Sequence, residues 1–364
     1  MMQSPHLNMG FVLDKVNREE FLNKDEILFL LSRTDEESVN RIYAAAREMR
    51  ERYFNNQIFL YGFVYFSTFC RNNCNFCLYR RGNHSLERYR KNEEEILKTA
   101  VSLAESGVHL LDLTMGEDPE FLLDRPQGLG RLLEMIKKVK EATGLPLMIS
   151  PGVVPQKYLK DFKDAGVNWY ALYQETHNRD LYTKLRVEQD YDQRWNIKIA
   201  AHRTGMLIEE GLLTGVGDTR EDDADSMLAM RELDAEQVRV MSFVPQENTP
   251  MEHWDTPPRL YELLIIAVMR LLFPDRLIPA SLDVDGIKGL KQRLDAGANV
   301  VTSIIPPQAG LAGVSNNSLD IEDGNRTVKK VTEVLEEMGL APAPKKAYLD
   351  WVQERQRQVE ERFQ

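Results

Sequence analysis

Cys70, Cys74 and Cys77 are the three cysteines of this 364-residue chain, and they lie within one short stretch, residues 65–79. Three thiols so close together, with none elsewhere to pair with, make a poor disulfide framework. In a reducing compartment such a group binds metal or does redox chemistry. Thiolates favour iron–sulfur clusters, zinc or copper(I). A structural zinc site takes four protein ligands, and there is no fourth cysteine. Three ligands on a four-iron cluster would leave one iron open to a group that is not protein. Cysteine also packs as a small hydrophobe, so spacing alone leaves zinc, a cluster and three incidental thiols all open.

A second set of residues interrupts apolar runs that a purely structural strand would keep apolar. Asp112 breaks His109-Leu110-Leu111-Asp112-Leu113-Thr114, and Arg239 breaks Val238-Arg239-Val240-Met241. Ser281 and Asp283 are two apart, as are Tyr173 and Glu175, so each pair shares a face if its strand continues. Arg186 follows where the chain turns towards helix. A lone buried charge is expensive. These residues must therefore pair internally, Asp112 with Arg239 for instance, or meet a ligand. Two carboxylates and an arginine converging on a cavity suit a zwitterion with an extra amine, the arginine taking the carboxylate and the aspartates the ammonium groups. Met115-Gly116-Glu117-Asp118 follows a strand, and the glycine-spaced run 211–218 reads equally as a ligand approach or a turn. The six histidines form no pair at ligand spacing, and His177 and His202 read as surface residues. No Ser/His/Asp arrangement or phosphate loop stands out.

Those residues need elements to position them. Residues 11–56 read as helices, with Thr34 and Glu37 as a capping box ahead of Val39, Ile42, Tyr43, Ala46 and Met49 at helical spacing. From Ile58 onward short apolar runs alternate with amphipathic helices. The runs are 58–66, 109–115, 145–150, 169–174, 206–214, 238–244, 277–282 and 299–305; the helices include 92–105, 129–142, 156–165, 191–203, 221–233, 259–272 and 286–296. Eight such units over about 250 residues predict an α/β fold, a complete (β/α)8 TIM barrel with reacting groups at the C-terminal strand ends. A doubly wound open sheet is the alternative. Residues 325–339 and 345–364 read as helical. The expected division is an N-terminal helical extension over 1–56, the barrel over 57–310, and a C-terminal helical extension over 311–364 packed on it.

The composition excludes other classes. A formal net charge of -11, from 46 basic and 57 acidic residues, argues against a nucleic-acid surface, which needs a basic patch. No apolar run reaches the roughly 18 residues of a membrane span, and the first residues lack a signal-peptide pattern. A cytoplasmic enzyme is expected.

Cys-x3-Cys-x2-Cys, with Phe76 before the last cysteine and the first barrel-type strand before the motif, resembles the radical S-adenosylmethionine (SAM) signature. Longer runs narrow the resemblance to the methylornithine synthase family of pyrrolysine biosynthesis: residues 112–119, Ala171-Leu172-Tyr173-Gln174-Glu175-Thr176, residues 276–283 and residues 296–304. The family is similar in architecture to biotin synthase and the hydrogenase-maturation radical enzymes. The resemblance implies a [4Fe–4S] cluster on Cys70, Cys74 and Cys77, with SAM on the open iron. It implies conversion of L-lysine to (3R)-3-methyl-D-ornithine by Cα–Cβ fragmentation and recombination, with an external one-electron reductant such as flavodoxin or ferredoxin. Carried over by position, the substrate contacts fall on Asp112, Ser150, Tyr173, Arg239, Ser281 and Asp283. The SAM contacts fall on Phe76, Glu175, Arg186, Arg194 and Gln246, and on Val244 through its backbone. Glu117 sits in a segment similar to the superfamily's glycine-glycine-glutamate motif, with Met115 for the first glycine; residues 211–218 depart from the usual pattern at Leu213 and Asp218. A biotin-synthase-like or maturation-type enzyme acting on another small amino-acid-like molecule is the competing expectation. No cysteines remain for a second, sacrificial cluster, which disfavours sulfur insertion.

Overall fold

Eight parallel strands curl into a ring. The computed structural model describes residues 7–122, 126–307, 311, 313 and 325–363. The strands are β1 (Gln57–Ser67), β2 (Leu110–Met115), β3 (Leu147–Ser150), β4 (Val167–Ala171), β5 (Leu207–Thr214), β6 (Gln237–Ser242), β7 (Pro279–Ser281) and β8 (Val300–Ile304). They pair in the order β6-β5-β4-β3-β2-β1-β8-β7. The ring closes between β6 and the start of the β7 run by a parallel bridge, Gln237 to Leu277, with Val238 N donating to the Leu277 carbonyl at 3.0 Å. This neighbour-by-neighbour order is that of a (β/α)8 barrel. The doubly wound alternative is excluded, because it would reverse the strand order at a switch point and leave two edges.

Helices cover the outside, and several keep the limits their periodicity predicts: Tyr191–Arg203 and Arg259–Leu272 do so to the residue. The tail helices are Val328–Glu337 and Lys345–Arg362, shorter than the expected spans, and Gln364 lies outside the described residues. At the N-terminus, Asp35 and not Thr34 caps helix Glu36–Phe54, accepting from Ser38 N at 2.9 Å. An ionised acceptor at the positive end of the helix dipole outcompetes the hydroxyl one residue earlier. That helix lays Val39, Ile42, Ala46 and Met49 into the main core.

The floor of the barrel is sealed by the tail. A short strand, β9 (Ala341–Pro342), pairs parallel to β1 at Gln57 and Ile58, which lays helix Lys345–Arg362 across the N-terminal strand ends. There the Tyr348 and Tyr61 hydroxyls meet at 2.7 Å, and Trp351 stacks on Trp169 with centroids 5.9 Å apart. Phe59, Tyr61, Trp169, Tyr348 and Val352 are all buried there. Burial of side chains this size is worth about 1.5–3 kcal/mol each, so the floor is a packed core, and the open end is left to the C-terminal strand ends.

Three further expectations change here. The β4 run ends at Ala171, so Tyr173 and Glu175 lie on the loop beyond it, and Glu175 has φ +69°. Their common direction therefore comes from the loop's bridge to Leu212 of β5 and not from strand alternation. His202 is 1% exposed, bonded through Nε2 to Glu236 at 2.9 Å. His177 has both ring nitrogens buried, between Tyr191 and Trp195, and burial followed by the Lys198 charge pushes it down to about 3. His202 is thus a packing residue, and His177 is half-buried with its ring nitrogens covered.

Candidate active site

The chain leaving β1 becomes the cysteine loop, and its neighbours hold it by the backbone. Arg71 N donates to the Glu117 carbonyl at 2.9 Å and Asn75 N to the Leu185 carbonyl at 2.9 Å. Gly116 lies so close beneath that a Cβ there would be 2.3 Å from the Phe69 carbonyl oxygen. Only glycine lets the β2 loop pass under the cysteines. Burial pushes the Cys70 thiol up to about 11 and the Cys77 thiol well above its ordinary value, the latter also against the Cys74 and Cys70 sulfurs. Buried sulfurs of this kind are thiolates only when a cation sits on them. Among the described residues no three His, Cys, Asp or Glu side chains gather for a single ion.

Below the loop, one cavity of about 250 Å³ runs into the barrel. All three cysteines line it, and so do Asp112, Ser150, Tyr173, Arg239 and Asp283 from the deeper level. Phe76, Glu175, Arg186, Arg194, Val244 and Gln246 line its upper level. Ser281 alone of the predicted site residues stands behind the wall, where its Oγ accepts from Asp283 N at 3.2 Å and lies 3.5 Å from Ser303 Oγ.

Deep in the cavity the Asp112–Arg239 pair, the internal alternative to ligand contact, is not formed. Arg239 Nε donates instead to Glu209 of β5 at 2.7 Å, and its Nη1 to Thr302 Oγ1 at 3.3 Å. The Tyr173 hydroxyl donates to the other Glu209 oxygen at 2.9 Å. Arg239 Nη2 is buried with no partner among the described residues. Although burial opposes its charge, the Glu209 carboxylate keeps the guanidinium charged. Asp112, 1% exposed, accepts from Ser150 Oγ at 3.1 Å. Burial first, then the Glu209 charge, push Asp112 up to about 7. Asp283 accepts from Tyr65 Oη at 2.8 Å, Ser303 Oγ at 2.9 Å and Arg326 Nη1 at 2.9 Å. Glu209, Tyr65 and Arg326 are site residues the sequence reading missed.

At the upper level Arg186 bonds Glu175 at 2.5 Å, lies 3.7 Å from Cys74 Sγ, and faces the Phe76 ring at 5.5 Å. Its Nε is buried without a partner among the described residues. Arg194 donates to the Tyr173 carbonyl at 2.7 Å and to Glu117 at 3.3 Å. Gln246 Nε2 donates to the Val244 carbonyl at 2.9 Å. Glu117 also takes Arg71 Nε at 3.0 Å and Val153 N at 3.1 Å, and it packs over Gly152. Gly152 has φ +79°, and a Cβ there would fall 1.8 Å from Glu117 Cγ. Gly152→Ala is thus expected to lose about 1–3 kcal/mol, read as a lower denaturant midpoint; an unchanged midpoint would mean Glu117 moves aside freely. Of the run 211–218, residues 211–214 complete β5 and residues 215–218 form a turn. Asp218 closes it, accepting from Gly215 N at 2.7 Å, Val216 N at 2.8 Å and Thr214 Oγ1 at 2.9 Å.

The chain matches known proteins along nearly its whole length. Residues 64–230 match the radical SAM superfamily model. A 3-methylornithine synthase of Methanosarcina acetivorans is 46% identical over 323 residues, covering 89% of this chain and 91% of that one. Its counterpart in Methanosarcina barkeri is 47% identical over 91% of this chain and 93% of its own. A crystal structure of methylornithine synthase superposes with a TM-score of 0.88 at 45% identity, covering 93% of this chain and 99% of that one. With one cavity joining a three-cysteine loop to a charged barrel interior, and identity sustained at this level, the chain belongs to the methylornithine synthase family of the radical SAM superfamily.

Proposed function

We propose that this protein is a radical SAM mutase that rearranges L-lysine to (3R)-3-methyl-D-ornithine, the first step of pyrrolysine biosynthesis. The observation that carries the reading is the single cavity. Its mouth has three cysteine sulfurs and its depth holds one arginine and two aspartates at separate positions. The family implies a [4Fe–4S] cluster and SAM, and the residues fit them. Cys70, Cys74 and Cys77 would hold three irons, and the sequence has no fourth cysteine to close the last one. Phe76, Glu175, Arg186, Arg194, Val244 and Gln246 would hold SAM, and Arg186 Nε is a buried donor still to be used. When bound, the pair supplies a 5′-deoxyadenosyl radical able to take hydrogen from an unactivated carbon.

The protein's own residues do the holding. Arg239, anchored at Nε by Glu209, offers Nη2 to the substrate carboxylate. Asp112 and Asp283, with Ser150, Tyr173 and Ser281 beside or behind them, take the amino groups. Breaking Cα–Cβ and rejoining at the neighbouring carbon leaves two fragments for a moment, so both ends must stay fixed and water must stay out. Packed aromatic walls and a sealed floor provide that enclosure. An external one-electron reductant such as flavodoxin or ferredoxin completes the system. No helix among the described residues is long and apolar enough to cross a membrane.

The charge of Asp112 gives the site a pH dependence. An ammonium group binds the ionised carboxylate, and Asp112 is pushed up to about 7 in the free protein. Binding pulls that value down, so lysine affinity rises with pH through about 7 and is about tenfold weaker at pH 6 than above pH 8. Calorimetry with the SAM-loaded protein checks this, and a flat profile between pH 6 and 8 would remove Asp112 from ammonium binding. The whole reading is tested by anaerobic incubation of reconstituted protein with SAM, reductant and isotopically labelled lysine. Labelled methylornithine is expected, with 5′-deoxyadenosine only as the hydrogen balance requires. Its absence, or turnover of a different amino acid instead, would overturn the function.

A further inference from the structure

One side chain touching the cysteine loop has no part in the scheme above. Gln189 lies between helices Arg179–Leu185 and Tyr191–Arg203, and its Nε2 is 3.0 Å from Cys74 Sγ. The amide cannot be turned the other way. Its Oε1 accepts from Arg186 Nη1 and Arg194 Nη1, both at 3.4 Å. Flipping it would put an NH2 against two guanidinium groups and an oxygen lone pair against a sulfur that carries negative charge as a ligand. Two cations thus fix the amide with its N–H aimed at the sulfur. The same residue also lines a cleft of about 970 Å³ on the outer face of the loop, shared with Cys70 and Arg71. It therefore stands between Cys74 and solvent.

We propose that Gln189 is a positioning residue for the cluster's electronics: a side-chain amide, oriented by Arg186 and Arg194, that donates to the Cys74 sulfur and raises the cluster's reduction potential. The inference rests on the cysteine assignment but not on the identity of the substrate. Hydrogen bonds to ligating sulfur spread its negative charge, and the reduced cluster carries one more electron than the oxidised one. The donor therefore favours the reduced form. The couple is a one-electron step with the electron supplied by dithionite or a low-potential carrier protein, and no proton need move. Of the two side-chain donors near Cys74 among the described residues, Gln189 has the shorter contact; Arg186 Nη1 is at 3.7 Å, and the same guanidinium is already committed to Glu175 through Nη2.

The test is an electron-paramagnetic-resonance redox titration of the reconstituted protein without SAM, for the parent, Gln189→Leu and Gln189→Glu. Leucine keeps the bulk and removes the donor; glutamate keeps the shape and adds repulsion. Both variants are expected to hold parental iron and sulfide, with a midpoint potential below the parent's and glutamate lower than leucine. SAM affinity is measured separately by equilibrium dialysis. Parental potentials in both variants, with SAM binding weakened or not, would overturn the proposal, since a residue that only props the two arginines would move affinity and leave the potential alone. Failure of both variants to hold a cluster would overturn it too, by making the contact one of assembly.

Discussion

Arg239→Leu is expected to reduce kcat/KM for lysine by about a thousandfold or more while iron content and cluster absorbance stay at the parental level. Removing one partner of a buried, hydrogen-bonded charge pair costs about 2–5 kcal/mol, and about 4 kcal/mol is a thousandfold in rate. The guanidinium donates to Glu209 and Thr302, and neither bond reaches the cysteine loop, so the cluster should not notice. The structure adds a complication that the side chain's role alone would hide. Leucine leaves Glu209, 0% exposed, with the Tyr173 hydroxyl as its remaining side-chain donor among the described residues. An uncompensated buried carboxylate destabilises by about 3–5 kcal/mol, and lost activity could then be lost fold. The double variant Arg239→Leu/Glu209→Gln separates the two, since the amide needs no counter-charge. It should recover most of the denaturant midpoint and none of the turnover. Near-parental turnover in either folded variant would take the carboxylate clamp away from Arg239.

The logic that finds Arg239 in the sequence is the one that should have found its partner. Asp112 and Arg239 were legible because each is a charge inside an apolar run, and burial demands that such a charge be answered. Glu209 and Glu210 sit in the same kind of run, Met206-Leu207-Ile208-Glu209-Glu210-Gly211-Leu212, but the two adjacent acids in the middle of the predicted strand 206–214 were passed over. Strand alternation sends them opposite ways: Glu209 inward to Arg239, Glu210 outward to Lys198 and the Gln174 backbone. Strands and helices were recoverable from periodicity, because local spacing carries them. Arg326 was not, since it reaches Asp283 across 43 positions of sequence, and the helical reading of residues 325–339 says nothing of a partner so distant. The Tyr61–Tyr348 floor is of the same kind, two tyrosines 287 positions apart. Cap and loop details went wrong where two adjacent residues could serve, as at Thr34 and Asp35, or where a positive φ took the chain off its strand, as at Glu175.

Cys74→Ala is expected to abolish both the cluster and reductive cleavage of SAM, to below detection, in a protein that still folds. Alanine removes a single buried sulfur, a small volume beside the large cavity terms of a leucine or phenylalanine truncation, and the loop keeps its backbone anchors at Glu117 and Leu185. Circular dichroism and the denaturant midpoint should therefore stay close to the parent's. The cluster has no such reserve. Cys70 and Cys77 are the remaining cysteines, and among the described residues no His, Cys, Asp and Glu side chains gather at a substitute metal site. Arg186 and Gln189, which converge on Cys74 Sγ, would be left facing a methyl group, so the variant should also bind SAM more weakly than a protein that had merely lost its iron. That ordering distinguishes a ligand from a bystander. A bystander cysteine would leave cluster and cleavage intact, and retention of either by the Cys74→Ala protein would end the three-thiolate assignment and the open iron that depends on it.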